Sequence, residues 1–153
     1  MTMTTPRAHA TGVPGYSETW PSEPETAGRA RKLVKTVLHT WNIDGEVVDD
    51  AVLITSELVT NSIVHSKCRL LRLSVTRPRR DLVQISVTDK SRTEPEHRDA
   101  GPEEESGRGL MLVRALAGNL GVELRSFGKT VTAELEVPCR RASSTVVGPT
   151  GGK

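Results

Sequence analysis

Aromatic residues are scarce in this chain: two Trp, one Tyr and one Phe make up 3% of its 153 residues. A core must then be built from Leu, Val, Ile and Ala, and the aromatic platforms on which single-stranded nucleic acid stacks are missing. A surplus of one charge is missing too. The 21 basic and 19 acidic residues are interspersed and leave a net +2, whereas a nucleic-acid binder carries a basic stripe. The basic runs at Arg77 to Arg80 and at Arg140-Arg141 are short. Cys68 and Cys139 stand far apart, so neither a zinc site nor a disulfide framework is indicated, which fits a reducing cytoplasm. No apolar run approaches the length of a membrane span, and Arg7 is not followed by a signal-peptide apolar segment. The composition thus predicts a cytoplasmic protein with no membrane and no direct nucleic-acid partner, of a length that suits one domain.

What is present is a clear succession of periods. Residues 1–15 are rich in Thr, Pro and Gly and are expected to be a disordered tail, as are residues 139–153, leaving 16–138 as the domain. Tyr16 to Trp20 suits a short edge strand. Ser22, with Glu25 three residues on, reads as the cap of a first helix, whose apolar side is Ala27, Ala30, Leu33, Val34, Val37, Leu38 and Trp41. Asn42-Ile43-Asp44-Gly45 breaks it, and a second helix runs from Val47 to His65, with Val47, Val48, Ala51, Leu58, Val59 and Ser62 as its apolar side. His39 and His65 read as structural.

After His65 the period becomes alternating. Leu71, Leu73 and Val75 pair with Val83, Ile85 and Val87 in an antiparallel hairpin. Ser91 to Ser106 is a long polar loop. Gly107-Arg108-Gly109 opens a third helix with Leu110, Leu112, Val113, Leu116 and Ala117 as its apolar side, and two strands carrying Val122 and Leu124, then Val131, Ala133, Leu135 and Val137, close the domain. Alternating strands have one covered and one exposed face. The expected fold is therefore α+β, a two-layer α/β sandwich with helices on one face of a mainly antiparallel sheet.

Three features carry chemistry. Glu57 and Asn61 are four apart on the second helix, so a carboxylate and a carboxamide stand one above the other, two oxygen donors suited to a hard cation that takes its remaining ligands from phosphates and water. The same pair also suits an ordinary solvated face. Asp89 ends a strand, where a carboxylate can accept from an exocyclic amine or simply serve a turn. Gly107-Arg108-Gly109 allows close backbone approach to a phosphate at a helix N-terminus, with Arg108 as a second donor, or is a flexible turn.

Taken in order, Glu57-Leu58-Val59-Thr60-Asn61 with His65, then Val87-Thr88-Asp89-Lys90-Ser91 with Pro95, then Gly107-Arg108-Gly109-Leu110, resemble the N, G1 and G2 boxes of the GHKL ATPases. Gly128-Lys129-Thr130-Val131 is similar to the closing hairpin of that group. The likeness covers Tyr16 to Val137 and is strongest to the anti-sigma-factor serine kinases, including the short stand-alone ATP-binding proteins of actinomycetes. It implies a Bergerat-type ATP-binding fold and serine/threonine kinase activity, with ATP and magnesium as cofactors. On this likeness Asn61 holds the magnesium and Glu57 is the general base. Asp89 reads the adenine amine with help from Ser91, Gly107, Arg108 and Gly109 hold the phosphates, and Leu110 and Thr130 complete the nucleotide contacts. The partners implied are a sigma factor and an antagonist (anti-anti-sigma) protein bearing the acceptor serine, with the chain as a homodimer. One departure is plain: Asp89-Lys90-Ser91-Arg92-Thr93 has no glycine where histidine kinases read Asp-x-Gly-x-Gly.

Overall fold

The computed structural model describes residues 7–8, 13–65, 69–89, 111–125 and 128–138. Among them, six strands form one antiparallel sheet: β1 (Arg7–Ala8), β2 (Gly15–Pro21), β3 (Leu70–Arg79), β4 (Leu82–Asp89), β5 (Asn119–Arg125) and β6 (Gly128–Glu136), in the order β1-β2-β3-β4-β6-β5. Helix α1 (Glu25–Thr40) packs on β2, β3 and the second helix, α2 (Glu46–His65), which lies over β4 and β6. A third helical segment, α3, covers residues 111–116. The architecture is the α+β two-layer sandwich that the alternating strands predict.

Strand register sorts the side chains into rows, because directly opposed residues of an antiparallel pair point to the same face. On the helix side one row runs Tyr16, Val75, Ile85, Ala133 and Leu120, the next runs Glu18, Leu73, Val87, Val131 and Val122, and the last runs Trp20, Leu71, Asp89, Lys129 and Leu124. The central members of the first two rows are buried and join the stripes of α1 (Ala30, Leu33, Val34, Val37, Leu38) and α2 (Val48, Ala51, Ile54, Leu58, Val59) in one core. The outer face is polar. There Ser86 and Thr132 share a hydrogen bond of 2.8 Å, Thr88 and Thr130 one of 2.9 Å, and Gln84 Nε2 donates to Glu134 Oε2 at 2.8 Å.

Both helix junctions have local causes. At the start of α1 the expected cap, Ser22, is not used: its backbone N–H goes to Arg69 O, which extends the β2–β3 pairing, and Pro24 stands at the cap position with no side-chain bond. Proline at φ −53° is already set for the helix and needs no N–H partner of its own. Thr26 instead ties the first turn down, its Oγ1 donating to Pro21 O at 2.6 Å. At the other end Asn42 takes a left-handed φ of 61°, and Ile43 N donates to Leu38 O and Asn42 N to His39 O. That is a Schellman closure, with the Ile43 side chain buried as such closures favour.

Three expectations shift. The strand read over Tyr16 to Trp20 lies one place in from the edge, because Arg7 and Ala8, within the stretch read as a tail, pair with Ser17 and Tyr16. In α3, Val113 is fully buried and Leu116 and Ala117 pack partly against the core, but Leu112, expected on the apolar side, is exposed. His39 and His65 are both exposed rather than packed.

Candidate functional site

The site is built on the flanks of α2. Its buried stripe of Val48, Ala51, Ile54, Thr55, Leu58, Val59 and Ser62 follows from residues three and four apart sharing a face. Ser56, on one side of that stripe, accepts a hydrogen bond from Arg31 Nη1 of α1 at 3.1 Å. Glu57 and Asn61 fall on the other side, one turn apart and both half-buried. They therefore stand away from α1, at the open flank of the helix layer.

Asp89 ends β4 on the helix side of the sheet and is buried, with 4% of its surface exposed. Burial of a carboxylate is costly unless donors reach it. Ser62, the residue after Asn61, directs its hydroxyl to Asp89 Oδ2 over a long 3.5 Å. Through that contact the half of α2 carrying Glu57 and Asn61 is seated over the strand end carrying Asp89. Directly across on β6 is Lys129, on the same face and half-buried.

The structure thus brings Glu57, Asn61 and Asp89 to one side of the sheet. Thr130 does not join them. Its partner in register is Thr88, and the two share a hydrogen bond on the outer face, with the sheet between them and α2. The alternation of β6 is the cause, since Val131 is turned into the core and its neighbour must turn out. Ser91, Gly107, Arg108, Gly109 and Leu110, together with the long loop read over Ser91 to Ser106, lie outside the described residues. Two residues were not singled out from the sequence. Ser62 is, with Thr55, one of two hydroxyls in the buried stripe of α2, and Lys129 is in phase with Val131, Ala133 and Leu135; counting back by two from Val131 finds it.

Among the described residues, no three His, Cys, Asp or Glu side chains converge as a metal cage. The donors at the open flank are one carboxylate and one carboxamide. Such a set fits a magnesium ion that keeps phosphate and water oxygens for the rest of its shell.

The chain belongs to the histidine kinase-like ATPase domain family, whose model matches residues 20–135, more than half of its length. ATP is accordingly the ligand class of the domain. No curated protein matches the chain. Among solved structures it is similar to that of the RsbU and RsbW domains of Rv1364c from Mycobacterium tuberculosis, at 19% identity and a TM-score of 0.60. The match covers 85% of this chain and 35% of that one, and what it shows is a shared fold. No helix among the described residues is long and apolar enough to cross a membrane.

Proposed function

We propose that the protein is an ATP-dependent regulatory serine/threonine protein kinase of the anti-sigma-factor type, which phosphorylates an antagonist protein and sequesters a sigma factor. The observation that carries this reading is the placement of Glu57 and Asn61 together on the flank of α2 that faces away from α1, above the strand end at Asp89. The likeness of the fold to a structure containing an RsbW domain supports it.

In this reading Asp89 accepts from the exocyclic amine of adenine, with Ser91 beside it. Gly107, Arg108, Gly109 and Leu110 hold the phosphates through backbone N–H groups and the Arg108 fork. Asn61 supplies a protein oxygen to magnesium, which when bound neutralises phosphate charge and orients the γ-phosphoryl group. Glu57 accepts the proton of the acceptor serine as its oxygen forms a bond to the γ-phosphorus; the bond from that phosphorus to the β,γ-bridging oxygen breaks and ADP leaves. Phosphoryl transfer is chiefly positioning and charge stabilisation, so one base and a set of fixed donors suffice. The working form is a cytoplasmic homodimer.

The test is transfer of phosphate from ATP to a serine-bearing antagonist protein. Glu57→Gln, which keeps shape and removes the base, should lower the transfer rate by roughly a hundredfold or more while ATP affinity stays within about twofold. Wild type that binds ATP and transfers no more than Glu57→Gln sinks the kinase reading. It leaves a second one, a non-catalytic module in which ATP sets the affinity for a protein partner. The acidic run Glu103-Glu104-Glu105 in the long polar stretch, which repels phosphate, favours that second reading.

A further inference from the structure

We propose that Lys129 is a base-reading residue, its ammonium donating to ring nitrogen N1 of the adenine whose exocyclic amine Asp89 accepts. The inference rests on the ATP-binding reading and deepens it. Lys129 and Asp89 are direct partners in the β4–β6 register, so both side chains leave the same face with their Cβ atoms about 5 Å apart. Asp89 is buried and Lys129 half-buried, which places an acceptor and a longer, more peripheral donor side by side at the end of the helix-side row. The ammonium is not drawn onto the carboxylate: among the described residues no ion pair or hydrogen bond holds Lys129.

Adenine offers a donor, its 6-amino group, beside an acceptor, N1. An ionised carboxylate can read only the first of these, and an ammonium, with three N–H groups and no acceptor, can read only the second. No other side chain of β6 on that face near Asp89 is a donor. Val131, two residues on, is apolar and 7% exposed, and Thr130 is turned to the outer face. Leu124, across from Lys129 on β5, continues the row with an apolar, 64% exposed side chain and offers no competing acceptor to the ammonium.

The experiment is calorimetric titration of the full chain with ATP, 1-deaza-ATP (which lacks the N1 acceptor) and adenosine, for wild type, Lys129→Met and Lys129→Arg. Lys129→Met keeps the aliphatic stem, and its thermal melt checks that the fold is intact. A charge-assisted hydrogen bond predicts that Lys129→Met weakens both ATP and adenosine by roughly tenfold or more and leaves 1-deaza-ATP unchanged. Lys129→Arg should retain most of the preference for ATP over 1-deaza-ATP. Equal losses for ATP and 1-deaza-ATP, or a loss for ATP with none for adenosine, overturn the inference by placing the ammonium on the phosphates or nowhere at the base. Those results leave ATP binding itself standing. Failure of folded wild type to bind ATP at all overturns the underlying reading and this inference with it.

Discussion

Two rows of side chains cross the same face of the same sheet and end differently. In one, Val75, Ile85 and Ala133 are 0%, 0% and 1% exposed, an apolar row sealed under the helices. In the other, Trp20 and Leu71 are also buried, but the row then passes to Asp89 and Lys129 and finishes at Leu124, which is 64% exposed. The first row is what alternation and burial alone would produce. The second breaks that pattern where β4 ends and where α2 turns Glu57 and Asn61 outward. A carboxylate in an otherwise apolar row is held only where donors reach it, as Ser62 reaches Asp89, and places where local pattern and global packing disagree are where function concentrates.

The sharpest way to break this comparison is to damage the sealed row and the helix flank above the open row separately. Ile85→Ala removes a fully buried side chain from the central strand and should cost about 3 kcal/mol of unfolding free energy, read as a lowered denaturant midpoint at unchanged slope. The ATP affinity of the molecules that remain folded should not change. Asn61→Ala should do the reverse. Its side chain is half-buried on a helix flank, so stability should stay within about 1 kcal/mol of wild type, while the gain in ATP affinity on adding magnesium disappears from the calorimetric titration. If Asn61→Ala unfolds the protein as severely as Ile85→Ala, the flank of α2 is part of the core and the division between scaffold and site fails.

What could be read from the sequence follows the range of the forces involved. The hairpin of Leu71, Leu73 and Val75 with Val83, Ile85 and Val87 was legible because alternation is local and the turn at Arg80-Asp81 is short. The i, i+4 relation of Glu57 and Asn61 was legible for the same reason. The start of α1 was not, since the backbone N–H of Ser22 is taken by Arg69 O, just before β3, and a capping motif cannot show that distant partner. Nor was β1, because Arg7 and Ala8 are two residues with no period of their own. The pairing of β4 with β6, which sets Lys129 opposite Asp89, is a contact between distant stretches of chain. Thr130 is a different case. A motif pointed to it, but parity with Val131 already turned it outward, and here the physical rule of period two outweighs the likeness.

Thr130→Val therefore gives the smallest expected effect and the finest test. Valine matches threonine in shape and in β-branching, so the strand is not disturbed. The change removes one hydroxyl from the 2.9 Å pair with Thr88, and both residues are half-buried rather than sealed, so water can serve the hydroxyl left behind. The cost should be about 1 kcal/mol or less, seen in a denaturant melt, with ATP affinity equal to wild type in the same titration that exposes Asn61→Ala. A loss of ATP affinity as large as that of Asn61→Ala would require Thr130 to stand on the helix side. Since a slip of one residue moves every side chain of a strand to the other face, Val131, Ala133 and Leu135 would then have to leave the core together, and the row that ends in Asp89 and Lys129 would not exist.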